Sequence, residues 1–206
     1  MEKDNVIIMP RKKPTPPDFH FPELLKKCKR GGPAVTLPKD AGLVFAYTGI
    51  GKESRVLELG TGSGFMTIQM ANIANEVTTY EKRTEFADLA QENVKQSGMK
   101  NVIMKRGDVL EGIDEKEESF DLIFCDIAEA HKIAERAHQL LSKNGFLAAH
   151  CLQIEQAKEL VLEAKKHFRE VFMVEGINRE YEVRDFGVRP QHFGLMHSAY
   201  LVFAKK

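Results

Sequence analysis

Net charge is the first thing the chain lacks: thirty Lys and Arg are balanced by thirty Asp and Glu among 206 residues. A global positive field of the kind that draws a protein to nucleic acid is absent, so any basic surface must be local. Cysteine is scarce too, with Cys28, Cys125 and Cys151 alone. Their spacing fits neither a zinc site nor a disulfide framework, and no metal centre is expected. Cys125 and Cys151 lie in apolar runs that read as strands, where buried free thiols are common. This usage points to a reducing, cytoplasmic setting. No apolar run approaches the roughly 20 residues that a membrane helix needs. The N-terminus is charged and Pro-rich rather than apolar, so no signal peptide is read there.

Six of the eight prolines, Pro10, Pro14, Pro16, Pro17, Pro22 and Pro33, fall within residues 1–34. Lys and Arg crowd the same stretch at Arg11, Lys12, Lys13, Lys26, Lys27, Lys29 and Arg30. Such a segment cannot form a long helix or a central strand. It reads as an N-terminal arm with one short helical piece over Pro22–Lys29, either solvated or seated on a partner or on phosphate. A domain over 35–206 follows.

Within that domain helices and strands alternate. Lys39–Thr48 predicts a short helix, Arg55–Leu59 a buried strand, and Phe65–Ile73 a helix. Glu76–Tyr80 is a second strand, rich in β-branched residues. Thr84–Ser97 is a polar-faced helix closed by Gly98. Val102–Lys105 and Phe120–Asp126 are the third and fourth strands; consecutive Leu122, Ile123 and Phe124 suit a strand buried on both faces. A helix over His131–Leu141, a strand over Gly145–Cys151 and a helical face from Ile154 to Phe168 come next. Val171–Gly176 and Ala199–Ala204 can pair as an antiparallel hairpin. The order implies an α/β fold: a doubly wound, mostly parallel sheet with helices on both faces. Ligands in such sheets sit at the carboxyl ends of the strands, where strand order switches.

The strongest local signal is Val56-Leu57-Glu58-Leu59-Gly60-Thr61-Gly62-Ser63-Gly64, an apolar strand running into a glycine loop and then a helix. A tight turn there needs positive φ, and a ligand must approach the backbone without meeting Cβ atoms. The helix N-terminus offers free N–H groups. Dinucleotide oxidoreductases also use a glycine loop, but with Gly-x-Gly-x-x-Gly spacing; here it is Gly-x-Gly-x-Gly, preceded by the acidic Glu58. Glu81 closes the second strand, where a carboxylate can accept hydrogen bonds from ribose hydroxyls. Asp108 follows the third strand. For each acid the alternative is a helix cap or a solvated loop residue.

This pattern resembles the class I methyltransferases that use S-adenosylmethionine (AdoMet), from about Pro38 to Lys206. The resemblance implies a seven-stranded, Rossmann-like sheet whose last strand is antiparallel. It implies that Gly60, Gly62 and Gly64 cradle AdoMet, that Glu81 binds its ribose and that Asp108 lies near its adenine. Glu58, Thr61, Ser63, Lys82, Val109 and Asp126 complete the implied cofactor-binding set.

The flanks are most similar to the tRNA (adenine-N1)-methyltransferases. Four stretches carry this: Arg30-Gly31-Gly32-Pro33 with Leu37-Pro38-Lys39-Asp40-Ala41-Gly42; the glycine loop; Gly145-Phe146-Leu147 through Gln156; and Arg189-Pro190 with Met196-His197-Ser198-Ala199-Tyr200-Leu201. The resemblance makes Asp126 the catalytic acid facing a target adenine, tRNA the partner, and a homotetramer the assembly. The chain departs from the family in three places. A proline and an aromatic are missing from Asp126-Ile127-Ala128-Glu129-Ala130-His131. His150 and Leu152 replace a tyrosine and a proline on the fifth strand. A β-rich N-terminal domain is replaced by the arm.

Other readings stay open. His150 and His197 are either general bases or packing residues. Asp126 can also be the N-cap of the next helix. Arg179, Arg184 and Arg189 form either a phosphate strip or, alternating with Glu180, Glu182 and Asp185, a mixed solvated face. A small-molecule or protein methyltransferase, or a non-catalytic AdoMet-binding subunit, fits the same cofactor half.

Overall fold

A computed structural model describes residues 20–32, 34–191 and 197–206. Pro10 to Pro17, Arg11 to Lys13, Pro33 and Met196 lie outside the described residues. The chain runs through α1 (Glu23–Lys26), α2 (Pro38–Thr48), β1 (Arg55–Leu59), α3 (Phe65–Ala71), β2 (Glu76–Glu81), α4 (Thr84–Ser97), β3 (Val102–Arg106) and β4 (Phe120–Cys125). A 3-10 turn over Ala130–Ile133 leads into α5 (Ala134–Leu140), then β5 (Leu141–Cys151), α6 (Ile154–Ala164), β6 (Glu170–Glu175), β7 (Tyr181–Arg184), β8 (Gly187–Pro190) and β9 (Tyr200–Lys205).

Seven strands form one sheet in the order β3-β2-β1-β4-β5-β9-β6. β1 to β5 are parallel, and β9 runs antiparallel between β5 and β6. The late pairing expected from sequence forms, with Val174 opposite Leu201. Alternate side chains leave a strand on opposite faces, and this splits the core in two. Leu57, Leu59, Ile123, Cys125, Leu147 and Ala149 pack with Ala134, Leu140, Ala157 and Leu160 of α5 and α6. Val56, Leu122, Phe124, Ala148, Leu201 and Phe203 pack with Ala41, Val44, Met66 and Met70 of α2 and α3. The sheet is thus wound on both faces, as the strand–helix alternation predicts.

Three local features differ from the sequence reading. The helix expected over His131–Leu141 is a 3-10 turn followed by α5. β5 begins at Leu141, and its register against β4 shifts between Phe120 and Leu122; Asn144 absorbs the bend at φ 67°. β7 and β8, unanticipated, form a separate two-stranded hairpin.

The part of the arm that is described is folded onto the domain. Phe21 and Leu25 are buried with Phe65, Ile68 and Val94. The Phe21 and Phe65 rings meet edge-on, 5.3 Å apart.

Candidate active site

β1 sits at the switch in strand order, with β2 on one side and β4 on the other. A cleft of about 320 Å³ opens there, within the range of small-molecule sites, roughly 300–1,000 Å³. Its wall is built from strand ends: Glu58 in β1 and Gly60–Ser63 after it, Glu81 closing β2 with Lys82 and Arg83 after it, Gly107–Leu110 after β3, Asp126–Glu129 after β4, and His150 and Leu152 at the end of β5. Ala34–Thr36 close one side. Glu58, Gly60, Thr61, Gly62, Ser63, Glu81, Lys82, Asp108, Val109 and Asp126 therefore all meet in one place, as the sequence leads one to expect.

Gly64 does not line the cleft. At φ 81° it precedes the first residue of α3, and a Cβ there would lie 3.3 Å from Ala90 of α4. Its job is close packing of two helices. Gly60, at φ 98°, answers a harder constraint: a Cβ would lie 2.5 Å from the carbonyl oxygen of Asp126. The glycine loop thus lets the ends of β1 and β4 touch.

Glu81 is 4% exposed. Its Oε2 accepts from the Gly62 N–H at 2.9 Å and its Oε1 from the Arg83 N–H at 3.0 Å. Arg83 Nε also donates to Oε1, at 3.2 Å, so Oε2 is the oxygen that keeps a lone pair for a hydroxyl. Asp108 accepts from the Leu110 N–H and from Lys82 Nζ, and these bonds hold its carboxyl below the usual carboxylate range. Glu58 is fully buried. Thr67 and Thr79 donate to its Oε2, while its Oε1 has no partner among the described residues. Burial pushes its carboxyl up to about 8, against the two threonine hydrogen bonds. A group in that range is largely protonated near pH 7, so Oε1 is a buried, unanswered polar atom in the wall of the cleft.

Asp126 is not a helix cap. The residue ahead of the 3-10 turn is Glu129, and no side chain caps it. Asp126 instead faces His150, with Nδ1 and Oδ1 3.5 Å apart. His197 lies apart from the cleft, its Nδ1 paired with Glu175 Oε1 at 2.6 Å. Arg184 and Arg189 both pair with Glu182 in the outlying hairpin. Sequence reasoning did not place Ala34–Thr36 at the cleft. No motif marks them, and they arrive only through packing of the strap that precedes α2.

An open, mostly parallel sheet with a Gly-x-Gly-x-Gly turn and acids at successive strand ends around one cleft defines a Rossmann-like protein of the methyltransferase type. Comparison with known proteins gives the same answer in finer detail. Residues 50–187 match the family model described as a methyltransferase domain. The tRNA (adenine(57)-N(1)/adenine(58)-N(1))-methyltransferase TrmI of Methanocaldococcus jannaschii is 33% identical over 89% of this chain and 75% of its own. The TrmI of Thermus thermophilus is 34% identical over 83% and 69%. The solved TrmI structure from Aquifex aeolicus superposes with TM-score 0.82 at 30% identity, covering 88% of this chain and 73% of that one. The chain belongs to the methyltransferase family, among the tRNA (adenine-N1)-methyltransferases of the TrmI kind.

Proposed function

We propose that this chain binds AdoMet in the cleft and transfers its methyl group to N1 of an adenine in tRNA. The observation that carries the reading is the convergence of Glu58, Glu81, Asp108 and Asp126 on one wall, with Glu58 Oε1 unanswered. The donors fit such a cofactor. Gly60–Ser63 offer backbone to its polar chain, Glu81 accepts from ribose hydroxyls, and Asp108 with Val109 frames the adenine. Bound AdoMet supplies an electrophilic methyl group on a sulfonium. The protein's own task is placement of the acceptor. The adenine must leave its stack to enter. Asp126, accepting from the exocyclic amine, orients the ring. The Asp126 carboxylate would also stabilise the positive charge that the ring acquires when N1 takes the methyl group.

The unit doing this spans 35–206, with 1–34 as an arm whose described part lies on α3 and α4. The tRNA substrate and the free thiols support a cytoplasmic location. No helix among the described residues is long and apolar enough to cross a membrane. The outlying hairpin supports a homo-oligomer.

Calorimetry with AdoMet, on the wild type and Glu81→Ala, tests the cofactor half. Saturable binding that the variant loses is expected; no binding overturns the reading. Mass spectrometry of tRNA incubated with protein and AdoMet tests the other half, with 1-methyladenosine as the expected product. A protein O-methyltransferase is the second reading, favoured by 32% identity to the protein-L-isoaspartate O-methyltransferase of Petrotoga mobilis over 55% of this chain. AdoMet binding with a methylated isoaspartyl peptide and unmodified tRNA would select it.

A further inference from the structure

His150 stands one residue from the end of β5, opposite Leu201 of β9. It is 6% exposed and forms part of the cleft wall, with both ring nitrogens buried. Neither ring nitrogen has a hydrogen-bond partner among the described residues. A buried imidazole with both nitrogens unanswered costs stability unless something supplies partners. Asp126 faces it from the end of β4 at 3.5 Å, close enough to feel the charge but long for a hydrogen bond. From α2, Asp40 and Lys39 act on it; they bond each other at 2.9 Å, and Ser198 donates to Asp40. Around Asp126 stand Glu58 on β1, Cys125 on β4 and Cys151 on β5. Burial alone would lower the ring's pKa, but the Asp126 carboxylate, with Asp40 behind it, outweighs burial and raises it. Hydrogen bonds of a reacting site are often long without substrate and tighten when it arrives.

We propose that His150 is a specificity-determining residue for the acceptor base: its Nδ1–H holds Asp126 Oδ1, and its unprotonated Nε2 accepts a hydrogen of the base's exocyclic amino group. The inference rests on the methyl transfer proposed above. A base edge carrying an amino group beside a bare ring nitrogen, as in adenine, then meets two acceptors, Asp126 Oδ2 and His150 Nε2. An edge carrying a carbonyl beside an N–H, as in guanine, sets an oxygen against those same acceptors and is rejected. Protonating His150 turns Nε2 into a donor. It also sets a cation beside Asp126, which cancels the charge that stabilises the methylated ring. Transfer therefore needs neutral His150, and the rate falls on the acid side with a midpoint above the ordinary histidine range.

Two measurements on the full chain test this. The first follows histidine resonances by NMR across pH without RNA, with the His150 signal identified by its loss in His150→Asn. Its midpoint is expected above the ordinary range in the wild type and lower in Asp126→Asn. An unchanged midpoint overturns the pairing, whatever the substrate. The second is single-turnover methylation of tRNA at saturating AdoMet across pH. His150→Asn is expected to lose about tenfold or more in rate near neutral pH, to lose the acid limb, and to keep AdoMet affinity within about twofold. A variant with the wild-type rate and limb shows that the histidine only packs, and overturns the inference. If His150→Asn does not fold, His150→Gln, which reaches the Nε2 position without titrating, carries the same pH readout. Loss of the NMR coupling with an intact wild-type rate overturns this inference alone. Coupling with no RNA methylated by the wild type overturns the proposed substrate instead.

Discussion

Two threonine hydroxyls and, among the described residues, no cation stand against the fully buried carboxyl of Glu58, and the consequence reaches beyond the cleft. Its pKa is pushed up to about 8, whereas in the unfolded chain it returns to about 4.5. Between those values the folded state holds a proton that the unfolded state has released. Stability is therefore fully retained below the unfolded value and falls as pH rises through the window, by up to about 1.4 kcal/mol per unit. Urea denaturation of the cofactor-free protein at several pH values should show this slope, and Glu58→Gln should flatten it. A slope of equal size in the variant assigns it to other groups. Gly60 is constrained by space rather than by charge. With Asp126 O 2.5 Å from the Cβ position and φ at 98°, Gly60→Ala must displace backbone. Its thermal midpoint should drop by the equivalent of about 2 kcal/mol or more. A variant as stable as the wild type would show that the β1 and β4 ends can separate.

Residues at this scale act through elements, and α4 is the clearest case. Asn93, fully buried, donates to the Ser63 carbonyl of the glycine loop and to the Lys29 carbonyl of the strap, and accepts from the Lys29 N–H. The strap lies so near α4 that a Cβ on Gly31 would meet Leu89 at 2.8 Å and one on Gly32 would meet Phe86 at 2.6 Å. One helix therefore fixes both the loop and the wall formed by Ala34–Thr36. Asn93→Ala leaves three backbone groups without this partner, at about 1–3 kcal/mol for a buried group. AdoMet affinity, read by calorimetry, should weaken while far-ultraviolet dichroism stays intact; unchanged affinity would detach the strap from the site. Asn93 gave no signal in the sequence, since an Asn on a polar-faced helix reads as solvated. Elements with strong periodicity or glycine stops were legible: β1, β2, β4 and α4 fall within a residue or so of their expected bounds. The acidic strand ends were legible because parallel topology forces them to one edge. Strand order and the start of β5 were not, because Leu141 pairs with Phe120 across a register shift that no local pattern announces. The Asp126–His150 approach was hidden as well, since it depends on which way two side chains turn at the ends of neighbouring strands.

At the scale of the whole molecule, β7 and β8 are the part without a place in the core. Arg179, Arg184 and Arg189, alternating with Glu180, Glu182 and Asp185, read in one dimension as either a phosphate strip or a mixed, solvated face. In the hairpin the pattern resolves into two faces, because Glu182 pairs with Arg189 and Val183 with Val188. On the first face Arg184 and Arg189 both pair with Glu182. On the second, Tyr181, Val183 and Val188 are 55%, 76% and 64% exposed, and Phe186 at the turn is 85% exposed. A lone two-stranded hairpin is marginal in water, and its edges offer unpaired backbone. An apolar face on such an element calls for cover, and a second copy presenting the same amphipathic ribbon would provide it in closed symmetry. Sedimentation velocity should find the wild type as an oligomer, and the double variant Val183→Ser, Val188→Ser should shift toward the monomer. The exchange leaves the cleft untouched, so AdoMet binding by the variant should persist. A wild type that sediments as a monomer at every concentration overturns the assembly. An oligomer indifferent to the double exchange moves the contact elsewhere on the surface.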